Sequence, residues 1–139
     1  MSEEHRCNKC DEKLILNENW TKASMGRYDY TCNTCQNKLR QNWEKTLKGR
    51  YIIYQRNAKK RSLSFNLSFF EFINMCIKPC AYCGIKQLYN GVDRVNNEIG
   101  YNIKNCSPCC TTCNRMKRCM SVEEFRTHCR SVVNYGNWD

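Results

Sequence analysis

The chain is short of acids, of histidine, of proline and of long apolar runs. Thirteen Asp and Glu stand against 23 Lys and Arg in 139 residues, a net charge of +10. That balance excludes an acidic, solvating protein and points to an anionic partner. No apolar run approaches the ~20 residues of a membrane-spanning helix, and residues 1–6 lack the apolar core of a secretory leader. We therefore expect no membrane partner and an intracellular rather than a secreted protein. The two histidines, His5 and His128, fall outside every motif described below; His5 reads as a surface residue and His128 as a packing or surface residue. A mean hydropathy of −0.77 leaves a thin apolar core, so something else must help to hold the fold.

Cysteine is what the chain has in excess. Eight of its thirteen cysteines form four Cys-x2-Cys pairs: Cys7/Cys10, Cys32/Cys35, Cys80/Cys83 and Cys110/Cys113. An odd total, paired spacing and a reducing compartment favour zinc over disulfides. Two four-thiolate sites are expected, Cys7, Cys10, Cys32, Cys35 and Cys80, Cys83, Cys110, Cys113, each closed and so structural. Cys109 adjoins Cys110, but only Cys110 stands two residues from Cys113, which leaves Cys109 packed on a strand. Cys76, Cys106, Cys119 and Cys129 have no such spacing and default to the core.

The positive charge is clustered. Residues 36–61 hold Lys38, Arg40, Lys45, Lys48, Arg50, Arg56, Lys59, Lys60 and Arg61 against the single acid Glu44, a stripe suited to a nucleic-acid backbone. Arg115 and Lys117, just past the last cysteine pair, extend that DNA-binding set. Leu39, Trp43, Leu47, Tyr51 and Tyr54 recur at spacings of three and four and predict one helix through the basic stretch, their stripe serving as core or as a dimer interface. Residues 27–31 predict a strand, 57–64 a turn and 65–67 a further strand. Ser68 with Glu71, and Ser121 with Glu124, are capping boxes that open two helices. The first carries Phe69, Phe72, Ile73 and Cys76 and stops before Pro79. The second buries Phe125, Cys129, Val132 and Val133 and stops at Gly136.

Between those helices residues 92–95 read as one strand, 96–105 as a long loop and 106–109 as a returning strand, followed by a helix from Cys110. A zinc held at both ends of this segment brings Asp93 and Asn114 together. A carboxylate and an amide carbonyl are hard oxygen ligands, suited to Mg2+, Mn2+ or Ca2+ and poor competitors for a thiolate-bound zinc. Such a cation would bridge a scissile phosphate and stabilise the leaving oxygen.

The stretch G-V-D-R-V-N-N-E-I-G-Y-N-I-K-N-C-S-P-C-C-T-T-C-N-R-M-K, preceded by C-A-Y-C-G, resembles the HNH endonucleases of the ββα-metal fold, and specifically their zinc-bound subgroup with restriction-type members. The strong part of the resemblance covers residues 80–117. It implies that Asp93 and Asn114 bind the catalytic cation, that Asn105 braces the long loop and that the cysteine pairs are structural. It also implies that Tyr82 is an active-site residue and that Arg61 lies near the scissile phosphate. The sequence departs from the wider family at Arg94, where most members carry the general-base histidine. Arginine stays protonated, so Arg94 becomes an electrostatic clamp and Tyr82, as phenolate favoured by nearby positive charge, becomes the candidate base.

The expectation is an α+β protein with two parts. Residues 1–60 form a four-cysteine zinc module plus basic helix, and residues 61–139 a zinc-stapled ββα-metal core. Two structural Zn2+ and one catalytic Mg2+ or Mn2+ would serve a DNA endonuclease leaving 5′-phosphate and 3′-hydroxyl ends, plausible as a restriction-type homodimer on double-stranded DNA. The alternatives are a non-catalytic zinc-dependent DNA-binding protein, a homing-type nickase and an RNA-directed nuclease.

Overall fold

The computed structural model describes residues 4–136, and the chain divides into two compact units, Met1–Arg50 and Tyr51–Asp139. The first unit is small and closes around sulfur. Cys7, Leu14, Trp20 and Cys32 form its buried cluster, with Tyr30 and Cys35 packed against them. His5 is half-buried and meets Trp20 edge-on and Tyr30 at a tilt, its ring 5.4 and 5.0 Å from theirs, so it packs rather than standing on the surface.

Helix α1 (Lys22–Gly26) is capped by Thr21, whose side chain accepts from the Ser24 N–H. The strand expected over 27–31 does not form. Tyr28 takes a positive φ of 54°, and the Arg27 and Tyr28 N–H groups turn back onto Ser24 and Met25. Side chains take two of the segment's carbonyls, Trp20 Nε1 donating to Asp29 at 2.7 Å and Gln36 Nε2 to Thr31 at 3.1 Å, and the Asn8 N–H takes that of Tyr30 at 2.8 Å.

The single basic helix is in fact two, α2 (Asn33–Lys45) and α3 (Leu47–Lys60). Thr46 leaves helical geometry with ψ 153°; its hydroxyl donates to the Trp43 carbonyl at 2.7 Å and accepts from the Gly49 N–H at 3.0 Å. A Cβ on Gly49 would stand 2.1 Å from the Trp43 carbonyl oxygen, so the break requires glycine there. Helix α2 buries no residue, and Leu39 and Trp43 are 53 % and 41 % exposed; their part of the apolar stripe is therefore not core. α3 continues through Lys60, so the turn expected from residue 57 begins only at Arg61.

In the second unit, Tyr51 meets Phe65, Phe69 and Phe72 edge-on, and Tyr54 meets Phe72 and Tyr101. Helix α4 (Phe69–Cys76) has its Ser68–Glu71 capping box complete and buries Phe72, Met75 and Cys76. Strands β1 (Gly91–Arg94) and β2 (Cys106–Cys109) form an antiparallel pair in which Asp93 faces Ser107 and Arg94 faces Cys106. In place of a strand at 65–67 there is one bridge, Phe65 to Tyr101; it needs Gly100, where a Cβ would lie 2.2 Å from Ser64 Oγ.

Helix α5 (Thr111–Lys117) follows, then α6 (Val122–Tyr135), opened by the Ser121–Glu124 box and ended at Gly136. α6 buries Phe125 alone. Val132 and Val133, expected inside, are 42 % and 67 % exposed, since an amphipathic pattern says which face is apolar but not whether anything covers it. The result is a small α+β fold with a two-stranded sheet and two cysteine quartets. Among the described residues no helix is long and apolar enough to cross a membrane.

Candidate metal centres and active-site cleft

Each expected quartet is assembled, with its four Sγ atoms all within 4.8 Å of one another. The sulfurs are free thiols. The Cys10–Cys32 and Cys83–Cys110 pairs stand 3.7 Å apart, against about 2.05 Å for a disulfide. Tetrahedral zinc with Zn–S arms of about 2.3 Å has edges of about 3.8 Å, so both quartets fit a four-thiolate zinc.

The local electrostatics agree. Burial opposes ionisation of Cys7, but backbone N–H groups of Cys32, Lys9 and Cys10 outweigh it and bring the thiol down to about 6. Cys80 is likewise lowered to about 6, against burial, by N–H groups of Cys110, Cys83 and Tyr82. Their neighbours go the other way. Cys32 accepts from the Cys35 backbone yet is pushed up to about 12 by burial and by the adjoining thiols, and burial with the same crowding raises Cys113. Four close sulfurs cannot all ionise alone; a dication among them removes the conflict.

The second quartet joins Cys80 and Cys83, ahead of β1, to Cys110 and Cys113 at the start of α5, and a cleft of about 510 Å³ is lined by Asp93, Arg94, Asn114, Arg61 and Lys60 together with Tyr54, Asn57, Val92, Asn97, Tyr101 and Arg118. Five expected site residues thus share one cavity. Asp93 is 4 % exposed. Its Oδ2 accepts from the Tyr82 hydroxyl at 2.7 Å and forms an ion pair with Lys117, whose Nζ stands 3.2 Å away; among the described residues Oδ1 accepts no hydrogen bond. Arg94 donates to the carbonyls of Asn97 and Ile99 and lies over the Tyr101 ring at 5.4 Å. Arg61 donates to the Tyr101 hydroxyl at 2.8 Å and to the Asn57 carbonyl at 3.2 Å.

Asn105 lies outside the cleft and braces the loop: Nδ2 donates to the carbonyls of Asn96, Ile99 and Gly100 at 2.9, 3.2 and 3.0 Å, and Oδ1 accepts from the Asn96 N–H at 2.9 Å. Those carbonyls belong to the loop that also holds Arg94.

Two expectations change. Tyr82 does not line the cleft. It stands behind Asp93, its ring edge-on to Phe125 at 5.6 Å, in a separate cavity with Cys83 and Met116. Burial first, then its hydrogen bond to Asp93 and that carboxylate's charge, raise its pKa well above the ordinary phenol value, the reverse of the expected drift toward phenolate. Lys117, assigned to the DNA-binding surface, is fully buried and reaches the Arg94 carbonyl at 3.2 Å as well as Asp93. Of the remaining DNA-binding candidates Lys38, Arg40, Lys45, Lys48, Arg56, Lys59, Lys60 and Arg115 are exposed and Arg50 is half-buried.

The sequence reading passed over Tyr101 and Arg118. Tyr101 joins both arginines, and its place straight after Gly100, where the backbone must approach Ser64, was the available signal. Arg118 caps α5 at φ 49°, ψ −117°, an unusual backbone for a non-glycine residue that brings another cation to the cleft.

No family model matches the chain. An uncharacterized protein, R423, of Acanthamoeba polyphaga mimivirus is 38 % identical over 88 residues, which span 62 % of this chain and 17 % of that protein. The chain thus spans under a fifth of the length of the curated relative it matches. Among solved structures, the rare-cutting HNH restriction endonuclease PacI superposes with a TM-score of 0.51 at 20 % identity, over 94 % of each chain. The fold of this chain is similar to that of an HNH restriction endonuclease.

Proposed function

We propose that this chain is a zinc-stapled, metal-dependent DNA endonuclease of the HNH kind, related in design to PacI. One observation carries the reading: the cleft sets a carboxylate, Asp93, and an amide, Asn114, among the cations Lys60, Arg61, Arg94 and Arg118. That is the composition of a site for a divalent cation and a phosphodiester.

Asp93 and Asn114 would hold Mg2+ or Mn2+, which when bound supplies Lewis-acid stabilisation of phosphate charge and of the leaving 3′ oxygen. The protein's own groups do the positioning. Arg94, pinned by two loop carbonyls and the face of Tyr101, is a fixed clamp for a phosphate oxygen. Arg61, tied to the Tyr101 hydroxyl, is a second. Tyr82 and Lys117 fix one oxygen of Asp93. No imidazole lines the cleft, so the attacking water loses its proton to solvent or to the DNA.

Supercoiled plasmid with Mg2+ or Mn2+ tests this reading. Wild type should give nicked or linear product with 5′-phosphate ends, and Asp93→Ala should give none. Two-strand cleavage would need two centres on opposite strands, which we assign to a homodimer; sedimentation with and without DNA distinguishes it from a nicking monomer. The absence of a cleft histidine favours one other reading, a zinc-dependent DNA-binding protein without catalysis. DNA binding with no cleavage under any divalent cation would select it.

A further inference from the structure

We propose that Lys117 is the resident counter-ion of Asp93, a positioning residue that keeps the centre from filling with a free divalent cation and makes cation entry depend on a DNA phosphate. The inference rests on the reading of Asp93 as a cation ligand.

Lys117 projects from the last turn of α5 and is 0 % exposed. A buried ammonium persists only where acceptors surround it, and here they are Asp93 Oδ2 and the Arg94 carbonyl, both at 3.2 Å. The same Oδ2 accepts from Tyr82. One carboxylate oxygen thus carries both a hydrogen bond and an ion pair, which leaves Oδ1 as the oxygen open to an added ligand. Two-oxygen chelation by Asp93 is thereby disfavoured, which suits a small, largely hydrated ion better than Ca2+.

The charge count points the same way. Among the described residues Asp93 is the one acid lining the cleft, against Lys60, Arg61, Arg94 and Arg118, with Lys117 beneath it. A dication entering alone meets an excess of positive charge. A phosphate entering first, or together with it, reverses that sign, so cation and DNA should bind with strong positive coupling. Coupling of binding is reciprocal: the factor by which DNA tightens the cation is the factor by which the cation tightens DNA. Among the five cations Lys117 is the one in ion-pair contact with the carboxylate, so its charge should weigh most on the free centre.

The experiment measures Mn2+ binding by the electron paramagnetic resonance signal of free Mn2+, in the zinc-loaded 139-residue chain, with and without duplex DNA carrying a non-cleavable phosphate. Wild type should bind Mn2+ at least tenfold more tightly with DNA than without. Lys117→Met and Lys117→Gln should bind it at least tenfold more tightly than wild type in the absence of DNA, with the DNA coupling reduced by a similar factor. Lys117→Arg, which keeps the charge, should behave as wild type. If a neutral variant is too unstable to isolate in quantity, its melting temperature should rise on adding Mn2+ by more than that of wild type. Neutral variants that bind free Mn2+ no more tightly than wild type, while Asp93→Ala abolishes binding, would overturn the inference and leave the cation site standing. Absence of any Asp93-dependent Mn2+ binding in wild type, with or without DNA, would overturn the nuclease reading itself.

Discussion

Asn105→Ala offers a quantitative test of how the loop holds the cleft. The side chain accepts one hydrogen bond and shares its two Nδ2 hydrogens among three carbonyls, at 2.9 to 3.2 Å, and is 6 % exposed. A typical hydrogen bond contributes a net ~1 kcal/mol, and a buried polar group left without a partner costs ~1–3 kcal/mol. The bond to the Gly100 carbonyl is fully buried, whereas Asn96 is exposed and can turn to water. We therefore expect a loss of about 2–4 kcal/mol, read by urea denaturation with zinc retained. Asn105→Asp should be no better, because it sets a carboxylate against the same carbonyls. The loop carbonyls of Asn97 and Ile99 hold Arg94, so cleavage should fall further than the folded fraction alone predicts. A variant within about 0.5 kcal/mol of wild type would refute this account, since that is the range of ordinary surface substitutions.

If the quartets hold zinc, its removal should be far more costly than the loss of any single hydrogen bond: Cys83→Ser, or strong chelation, should unfold the second unit, since such sites contribute on the order of 10 kcal/mol; equal thermal stability would exclude zinc there. Gly49→Ala places a Cβ 2.1 Å from the Trp43 carbonyl and should destabilise the first unit by roughly 1–3 kcal/mol, the usual cost of overpacking. A circular-dichroism melt showing no change would mean that the α2–α3 break yields easily. Tyr82→Phe removes the donor to Asp93, a bond to a charged group worth about 1.5–3 kcal/mol, and should slow cleavage roughly ten- to a hundredfold with DNA affinity retained. The wild-type to variant ratio should stay flat between about pH 6 and 9, below the ordinary tyrosine pKa; a ratio that grows with pH would restore tyrosine as the base.

What could be read from the sequence was whatever depends on short spacing. The four Cys-x2-Cys pairs, the two capping boxes and the β1–β2 pair all stand where local pattern placed them, and Asp93 and Asn114 line one cleft. What failed was set by contacts between distant residues. Whether 27–31 pairs as a strand depended on Gln36 and Trp20 reaching its carbonyls. The exposure of Val132 and Val133 depended on what covers α6. Thr46 and Gly49 did carry the signal of a helix start in the middle of the basic stretch, but the apolar recurrence across it was the stronger pattern.

Lys117 shows why a basic residue cannot be assigned to a surface from composition alone. It lies three residues from Asn114 and one from Arg118, both of which line the cleft, and it has the charge of a phosphate contact. Its position on α5 is the same face as the buried ligand Cys113, four residues earlier. A helix seated by a zinc ligand must turn that face inward. Lys117 is buried there against β1, paired with Asp93 and bonded to the Arg94 carbonyl. An uncharged residue at 117 would leave a buried carboxylate held by Tyr82 alone. A zinc in the second quartet would therefore also determine which basic residue balances Asp93 and which stay exposed.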